Sequence, residues 1–251
     1  MPRYVLDIRY KGTAYSGWQT QPNAVTVQAE VQRALTLLCR QPTTCYGAGR
    51  TDAGVHALLM PAHFDFAQAL HPRFLSAING ILPRDISVLA VHRALDPQYH
   101  ARFSAVQRAY RYQLIFHKDP MRYQMATWIK EKLDFDAMFA AAGVILEYDS
   151  FESFCKANAN NKTFICQMFA SHFAWEGEVL VYHVRANRFL RGMVRTLVGT
   201  LVDVGLGRND LAGVRRIIEA QDRKQAGPSL APGGLYLSEV VYPEGMFERV
   251  L

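Results

Sequence analysis

The sequence of 251 residues predicts a fold that mixes α-helices with β-strands and divides into two halves. In several short segments, apolar residues alternate with polar ones, which is typical of strands with one buried face. In other segments they recur every three or four residues, which indicates amphipathic helices. Half of the residues are hydrophobic and 12% are aromatic, so the chain can bury a substantial core.

In the first half the predicted elements follow the order β-α-β-α-β, a helix-and-sheet arrangement. Thr26 is a plausible N-cap of the first helix. Pro72 lies early in the second helix, and Gly80 is expected just beyond its end. The predicted bounds are 4–10, 60–66 and 86–92 for the strands and 26–39 and 72–79 for the helices.

A boundary near Ser104 separates an N-terminal lobe, residues 1–104, from a C-terminal lobe, residues 105–251. The second lobe begins with a strand, and Asp134 is the predicted N-cap of its first helix. The strands predicted in the second lobe are 110–116, 167–175, 179–186 and 235–242. Its predicted helices include 134–145 and 210–220, and a Gly/Pro loop is predicted at 225–234.

A further helix is predicted within residues 185–205. Its apolar stripe consists of Phe189, Met193, Leu197 and Leu201, widened by Leu190, Val194 and Val198. Arg188, Arg191 and Arg195 are spaced three and four apart, which places them along one flank of such a helix. This row is either a solvent-facing basic edge or a contact for an anionic partner, a phosphate or a carboxylate.

The composition restricts the class of protein without fixing its function. The chain carries 28 basic and 22 acidic residues, a net charge of +6, which permits binding of nucleic acid but does not require it. The four cysteines have neither C-x-x-C spacing nor the pattern of a zinc site, so free thiols in a reducing compartment are expected. With no signal peptide and no apolar run of membrane length, a cytoplasmic location is predicted.

The stretch of residues 47–57 is the strongest candidate for a functional site. Three glycines surround Asp52, and Arg50 lies two positions before it. A carboxylate on a glycine-rich loop points to a binding or catalytic site. The structural alternative is that Thr51 or Asp52 caps a turn that the glycines merely shape.

A polar loop over residues 151–162 is a second candidate. It contains Asn158, Asn160 and Asn161 between Lys156 and Lys162. Such a loop either contacts phosphates or is an ordinary solvated loop.

Six motifs, in order along nearly the whole chain, resemble the TruA family of tRNA pseudouridine synthases. The nonapeptide Gly-Arg-Thr-Asp-Ala-Gly-Val-His-Ala at 49–57 is the most specific of them. The others lie at 10–19, 100–104, 108–112, 187–195 and 234–237. The resemblance implies an α+β fold, a two-lobed subunit around a largely antiparallel sheet flanked by helices, with the catalytic cleft between the lobes.

The resemblance also implies an activity and its partners. The family converts uridines 38, 39 and 40 of the tRNA anticodon stem-loop to pseudouridine, as a homodimer and without metal or cofactor. Asp52 resembles the aspartate that attacks the uridine, Tyr110 the tyrosine that packs on the flipped base, and Arg195 the arginine that pairs with the aspartate. The resemblance further assigns Arg50 to the space left by the flipped nucleotide, Leu237 to the base pocket, and His100, Arg102, Phe103 and Lys162 to tRNA contacts. Lys162 stands where many relatives carry arginine, which keeps the charge but loses the bidentate fork.

These residue types suit the reaction. The N-glycosidic bond must break and re-form at carbon 5, so the base must leave the stack and turn over. A closed pocket disfavours an ionised carboxylate, and an arginine within about 4 Å offsets that cost. An ion pair between Asp52 and Arg195 is therefore expected. The hydroxyl of Tyr110 is a candidate for the proton shift from carbon 5.

Two other functions compete with the isomerase. A non-catalytic RNA-binding protein on the same fold would keep the arginines and aromatics, but it would not need Asp52, Tyr110 and Arg195 together. A metal-dependent phosphoesterase or nuclease needs a cluster of carboxylates or histidines, and the stretch 47–57 offers only Asp52 and His56.

Overall fold

The computed structural model of the chain describes residues 1–157 and 161–251. The chain forms two compact units, one of Met1–Val106 with Tyr236–Leu251 and one of Gln107–Leu235. The strands are β1 Arg3–Tyr10, β2 Cys45–Gly47, β3 His56–Asp65, β4 Ile86–Ala94, β5 Gln107–Ile115, β6 Thr127–Trp128, β7 Met168–Glu176, β8 Val179–Ala186, β9 Leu235–Val241 and β10 Phe247–Arg249. The α-helices are α1 Val27–Cys39, α2 Phe74–Ile81, α3 Phe135–Val144, α4 Met193–Gly205 and α5 Leu211–Ala220.

The first unit contains a mostly antiparallel sheet with β1 near its middle. β1 pairs antiparallel with β3 on one side and with β4 on the other, and β10 extends the sheet beyond β4. β2 lies antiparallel to β3, whereas β9 is parallel to β3 and aligns Leu237 with Ala57. Tyr4, Leu6, Ile8 and Tyr10 form a buried face of β1, and Val5 on the other face is also buried, against Tyr99 and Ala101.

Two helices pack in the first unit, and α2 differs from its prediction. The hydroxyl of Thr26 accepts a hydrogen bond from the Ala29 N–H, so the predicted N-cap of α1 is confirmed. The expected stop of α2 before Gly80 is wrong, because Gly80 lies inside the helix. This glycine does not adopt the left-handed conformation that ends helices, and the N–H of Leu82 still donates to Ile78 at 3.0 Å.

Among the sheet strands of the second unit, β8 lies between β5 and β7, antiparallel to both. α3 packs on this sheet: the Ser171 hydroxyl donates to the Ala142 carbonyl at 2.7 Å, and the rings of Phe139 and Phe173 stack at 5.7 Å. Asp134 caps α3 as predicted. Both units therefore combine largely antiparallel strands with helices, which confirms the α+β class.

The helix predicted within 185–205 begins later than its apolar stripe suggested. α4 starts at Met193, because Gly192 precedes it with a φ of 74°, a left-handed conformation that interrupts the helix. Arg188 and Arg191 therefore precede the helix, and the predicted row of three helical arginines is wrong. Of the three, only Arg195 lies on α4.

The loop 225–234 crosses α4 at close range. The hydroxyls of Thr196 and Ser229 share a hydrogen bond of 2.7 Å, and the Gly227 N–H donates to the Thr200 hydroxyl at 3.0 Å. A Cβ on Gly199 would lie 1.8 Å from the Pro228 carbonyl oxygen, so only glycine permits this contact. Among the residues that the structure covers, no helix has both the length and the apolar character needed to cross a membrane.

The two helical glycines Gly199 and Gly143 are expected to respond oppositely to substitution by alanine. Gly199→Ala must displace the backbone of the loop 225–234, which should lower the free energy of unfolding by about 1–3 kcal/mol. Gly143 in α3 has open space around its missing Cβ, so Gly143→Ala should raise stability by about 0.5 kcal/mol through helix propensity. Urea denaturation of both variants tests this, and equal effects would contradict the close contact.

Candidate active site

The loop of residues 48–55 connects β2 to β3 and presents Asp52. Asp52 is partly buried, whereas Arg50 is exposed. The Val55 N–H donates to the main-chain carbonyl of Asp52 at 3.2 Å and closes a turn, in which Gly54 has a φ of 77°. At the loop's start, the Ala48 N–H donates to the Pro61 carbonyl at 2.8 Å. The loop is therefore held at both ends by main-chain hydrogen bonds.

The segment 10–18 supports this loop along its length. The hydroxyls of Tyr10 and Thr51 share a buried hydrogen bond of 2.8 Å. The Trp18 N–H donates to the Thr51 carbonyl at 3.3 Å, and the Gly54 N–H donates to the Tyr15 carbonyl at 3.2 Å. Since both the side chain and the carbonyl of Thr51 are bound, the backbone position of the neighbouring Asp52 is fixed.

Glycines permit the close approach of these two segments. A Cβ on Gly17, whose φ is 90°, would lie 2.3 Å from the Thr51 carbonyl oxygen. A Cβ on Gly12 would lie 1.9 Å from the Val55 carbonyl oxygen. Trp18 is buried, with its ring against Gly47, so it is a core residue that supports the site. The motif at 10–19 thus serves as the support of the Asp52 loop.

His56 belongs to this support. It is buried, and its Nδ1 accepts a hydrogen bond from the Gly12 N–H at 2.9 Å. Its ring lies 4.7 Å from that of Tyr236 on β9. Within residues 1–157 and 161–251, no group of three or more His, Cys, Asp or Glu side chains is arranged to hold a metal ion. The contacts with Gly12 and Tyr236 give His56 a structural role.

Tyr110 and Tyr112 lie on β5 in different environments. Tyr110 is partly exposed, and its ring meets that of Phe189 edge to face at 5.1 Å. Tyr112 is fully buried, and its hydroxyl bonds to Thr127 at 2.6 Å and donates to the Ala231 carbonyl at 2.7 Å. Tyr112 is therefore a core residue, whereas Tyr110 keeps an accessible aromatic surface.

Arg195 is partly buried on the first turn of α4. Its Nε donates to the Leu230 carbonyl at 2.6 Å, and the Leu230 N–H donates back to the Arg195 carbonyl at 3.2 Å. This pair of hydrogen bonds links the helix to the loop 225–234 and fixes one edge of the guanidinium group.

The predicted site residues are distributed over both units. The first unit contains Arg50, Asp52, His100, Arg102, Phe103 and Leu237, and the second contains Tyr110, Lys162 and Arg195. Leu237 is buried on β9 opposite Ala57. Lys162 is exposed, while Asn158 and Asn160 of its predicted phosphate-contacting loop lie outside the described residues. The Asp52–Arg195 ion pair stays a prediction.

The segment 99–104 forms a compact turn. The His100 N–H donates to the Ser104 hydroxyl at 2.9 Å, and the Arg102 N–H donates to His100 Nδ1 at 3.1 Å. Phe103 is 74% exposed, with the Arg102 guanidinium carbon 5.5 Å from its ring centre. This turn therefore presents an aromatic ring and a cation to solvent.

Two residues without a sequence signal, Tyr46 and His63, complete this cluster. Tyr46 on β2 stacks on His63 of β3 at 5.2 Å, and the His63 ring lies 4.6 Å from His100. Burial, aided by the positive charges of Arg3 and His100, lowers the pKa of His63 to about 4. Its Nδ1 accepts the Ala101 N–H at 3.1 Å, which requires an unprotonated Nδ1.

His63 should make stability depend on pH below its ordinary pKa of 6.5. As the pH falls, the unfolded chain takes up this proton first, so stability is fully present above that pKa and declines toward the folded value. We expect a loss of about 2 kcal/mol between about pH 7.5 and about pH 5. His63→Asn keeps an acceptor for the Ala101 N–H but should lack this loss. Urea denaturation of both proteins at the two pH values checks it, and parallel losses would refute it.

Comparison with known proteins places these features in a family context. A family profile described as tRNA pseudouridine synthase matches residues 149–243. A tRNA pseudouridine synthase A of Parabacteroides distasonis is 43% identical over 249 residues, which cover 98% of each chain. The protein of that name from Bacteroides thetaiotaomicron is 44% identical, covering 99% of this chain and 94% of its own. The one from Paraburkholderia xenovorans is 37% identical, covering 97% and 91%.

Proposed function

This chain belongs to the tRNA pseudouridine synthase A family, and we propose that it isomerises uridines 38, 39 and 40 in the anticodon stem-loop of tRNAs. It is a pseudouridine synthase, so its reaction moves the uracil from an N-glycosidic bond to a bond at carbon 5 of the base. The observation that carries the proposed mechanism is the loop 48–55, which holds Asp52 on a backbone fixed from both sides.

Asp52 is the proposed nucleophile. The reaction needs an ionised carboxylate at a defined position beside the ribose and the base, and it attacks either ribose C1′ or carbon 6 of the base. The hydrogen bonds of Thr51 and the turn that ends at Val55 supply that fixed position. A preorganised group contributes to rate because no reorientation is required when the substrate arrives.

We propose that Tyr110 and Arg195 take part in this chemistry, because the motifs that contain them, at 108–112 and 187–195, resemble those of the family. The accessible ring of Tyr110 stacks on the flipped uracil, and the edge contact with Phe189 keeps that ring in place. Arg195 is the proposed ion-pair partner of the Asp52 carboxylate, and its hydrogen bond to the Leu230 carbonyl holds one edge of the guanidinium in place. Leu237 is the proposed apolar wall of the base pocket.

We propose that the protein recognises the tRNA by the shape of the folded RNA and by its phosphates, and not by its base sequence. This mode of recognition suits an enzyme that accepts three adjacent uridines. The proposed contacts are Arg50, His100, Arg102, Phe103 and Lys162. The net charge of +6 favours a polyanionic substrate. We further propose that the protein acts in the cytoplasm as a homodimer, and that its reaction uses no metal or cofactor.

Tritium release from unmodified tRNA labelled at carbon 5 of uridine tests the activity. Wild-type protein should release tritium at a rate that a chelator does not change. Asp52→Asn should release none, because the amide cannot act as the nucleophile, yet it should bind tRNA with a Kd within about twofold of wild type. Intact binding without release by the wild type would instead indicate a non-catalytic RNA-binding protein. A loss in chelator would revive a metal-dependent reaction.

Alanine substitutions at two glycines with positive φ test whether the segment 10–18 positions the Asp52 loop. Gly17→Ala and Gly177→Ala both force alanine into the left-handed region, at a cost of about 1 kcal/mol each. Only the Cβ at position 17 meets Thr51, whereas Gly177 has open space around it. Gly17→Ala should therefore lower kcat by roughly ten- to a hundredfold through displacement of Asp52, and Gly177→Ala should leave kcat unchanged. Equal kcat values in the two folded variants would refute this support.

A further inference from the structure

Beside the Asp52 loop, the first unit exposes a cluster of aromatic rings that the proposed chemistry does not use. We propose that Tyr46, His100, Arg102 and Phe103 form a stacking surface that binds an unpaired tRNA base other than the target uridine. The inference rests on the proposed function, because it identifies a further contact of the same substrate. It assigns Tyr46 a role in substrate binding and His63 a positioning role beneath it.

The rings form a continuous series. Tyr46 stacks on His63 with an interplanar angle of 25° and lies 5.9 Å from the ring of His100. The rings of His100 and Phe103 are 4.5 Å apart. Tyr46 is 50% exposed and Phe103 74%, whereas His63 is buried beneath them. The series is therefore closed on its inner side and open to a ligand on its outer side.

The inner side is anchored by charged and main-chain contacts. Arg3 binds Asp65 through two hydrogen bonds, of 2.7 and 2.9 Å, and also donates to the carbonyl of Tyr99. The Ala101 N–H donates to His63. These contacts hold β3, which carries His63, against the turn that carries His100 and Phe103. The stacking surface is thus formed before any ligand binds, which limits the entropy lost on binding.

An unpaired base fits this surface better than an apolar protein segment does. Aromatic faces stack on bases of any identity, and a guanidinium next to them attracts the adjoining phosphate. Arg102 lies over the Phe103 ring, at the exposed end of the series. The carboxylate of Asp65 below the surface is bound by Arg3, so it does not oppose a polyanion. The surface therefore pairs a π face with positive charge.

The chain connects this surface directly to the proposed nucleophile. Tyr46 is on β2, and the loop that presents Asp52 begins two residues later. The Ala48 N–H donates to the Pro61 carbonyl, which ties the start of that loop to β3. A base stacked on Tyr46 would hold the RNA at a fixed distance from Asp52, along a short and supported piece of backbone.

The test compares substitutions of Tyr46 by affinity and by kinetics. Tyr46→Leu keeps apolar volume over His63 but removes the ring, and Tyr46→Phe keeps the ring. In the Asp52→Asn background, which prevents turnover, Tyr46→Leu should raise the Kd for an unmodified tRNA transcript by about five- to a hundredfold. Tyr46→Phe should stay within about twofold. In the active protein the same loss should appear in KM while kcat is unchanged.

A control variant, the salt dependence of Kd and thermal melts distinguish a loss of stacking from a loss of charge and from misfolding. Tyr123 is a 73% exposed tyrosine of the second unit, and Tyr123→Leu should leave Kd unchanged. Tyr46→Leu should leave the slope of log Kd against log salt unchanged, because no charge is lost. Arg102→Gln should reduce that slope by about one phosphate contact. Thermal melts identify any variant that fails to fold; if Tyr46→Leu is such a variant, Phe103→Leu, which removes the other exposed ring of the surface, replaces it with the same expected rise in Kd.

An unchanged Kd for folded Tyr46→Leu would overturn the stacking surface, and normal tritium release by the wild type would show that the isomerase proposal still stands. A Kd raised by Tyr46→Leu alongside a wild type that binds tRNA but releases no tritium would support the surface and refute the isomerase proposal. If Tyr46→Leu changes the oligomeric state by sedimentation and leaves Kd unchanged, the surface contacts a second copy of the chain, which also overturns the proposal.

Discussion

The attachment of Thr51 to the segment 10–18 is the constraint on which the candidate active site depends. The Thr51 hydroxyl bonds to Tyr10 and its carbonyl accepts from Trp18, so the residue before Asp52 is held through both its side chain and its backbone. Gly12 and Gly17 allow this closeness, since a Cβ at either position would collide with the loop's main chain. The aspartate therefore stands on a backbone set by the sheet core, not on a flexible loop.

The regular elements could be predicted from the sequence because their signals are local. The predicted N-caps Thr26 and Asp134 each begin a helix. Two helix bounds are wrong at glycines: Gly80 is predicted to follow α2 but lies inside it, whereas Gly192 delays the start of α4 until after the apolar stripe has begun. Glycine permits a left-handed conformation without requiring it, so its residue type alone does not give φ. β2, β6 and β10 were missed because two or three residues show no periodicity.

In the candidate site too, some residues are indicated by a local sequence pattern, whereas others depend on contacts between distant parts of the chain. The glycine-rich stretch 47–57 indicates Asp52 directly, and the segment 10–18 that supports it lies within the family motif at 10–19. Tyr46 and His63 gave no signal, since their stacking depends on the antiparallel register of β2 and β3, which pairs residues 17 positions apart. The chemistry of a site is therefore easier to read from sequence than the neutral side chains that hold a substrate in place.

The way the loop 48–55 is held is compatible with the proposed role of the Asp52 carboxylate as a nucleophile. The turn that ends at Val55 uses the main-chain carbonyl of Asp52, and the anchoring hydroxyl belongs to Thr51. Replacing the Asp52 carboxylate by an amide leaves both of these bonds in place. The hydrogen bonds that close and anchor the turn therefore use the backbone of Asp52 and the side chain of Thr51, which leaves the choice of side chain at position 52 compatible with the proposed nucleophile.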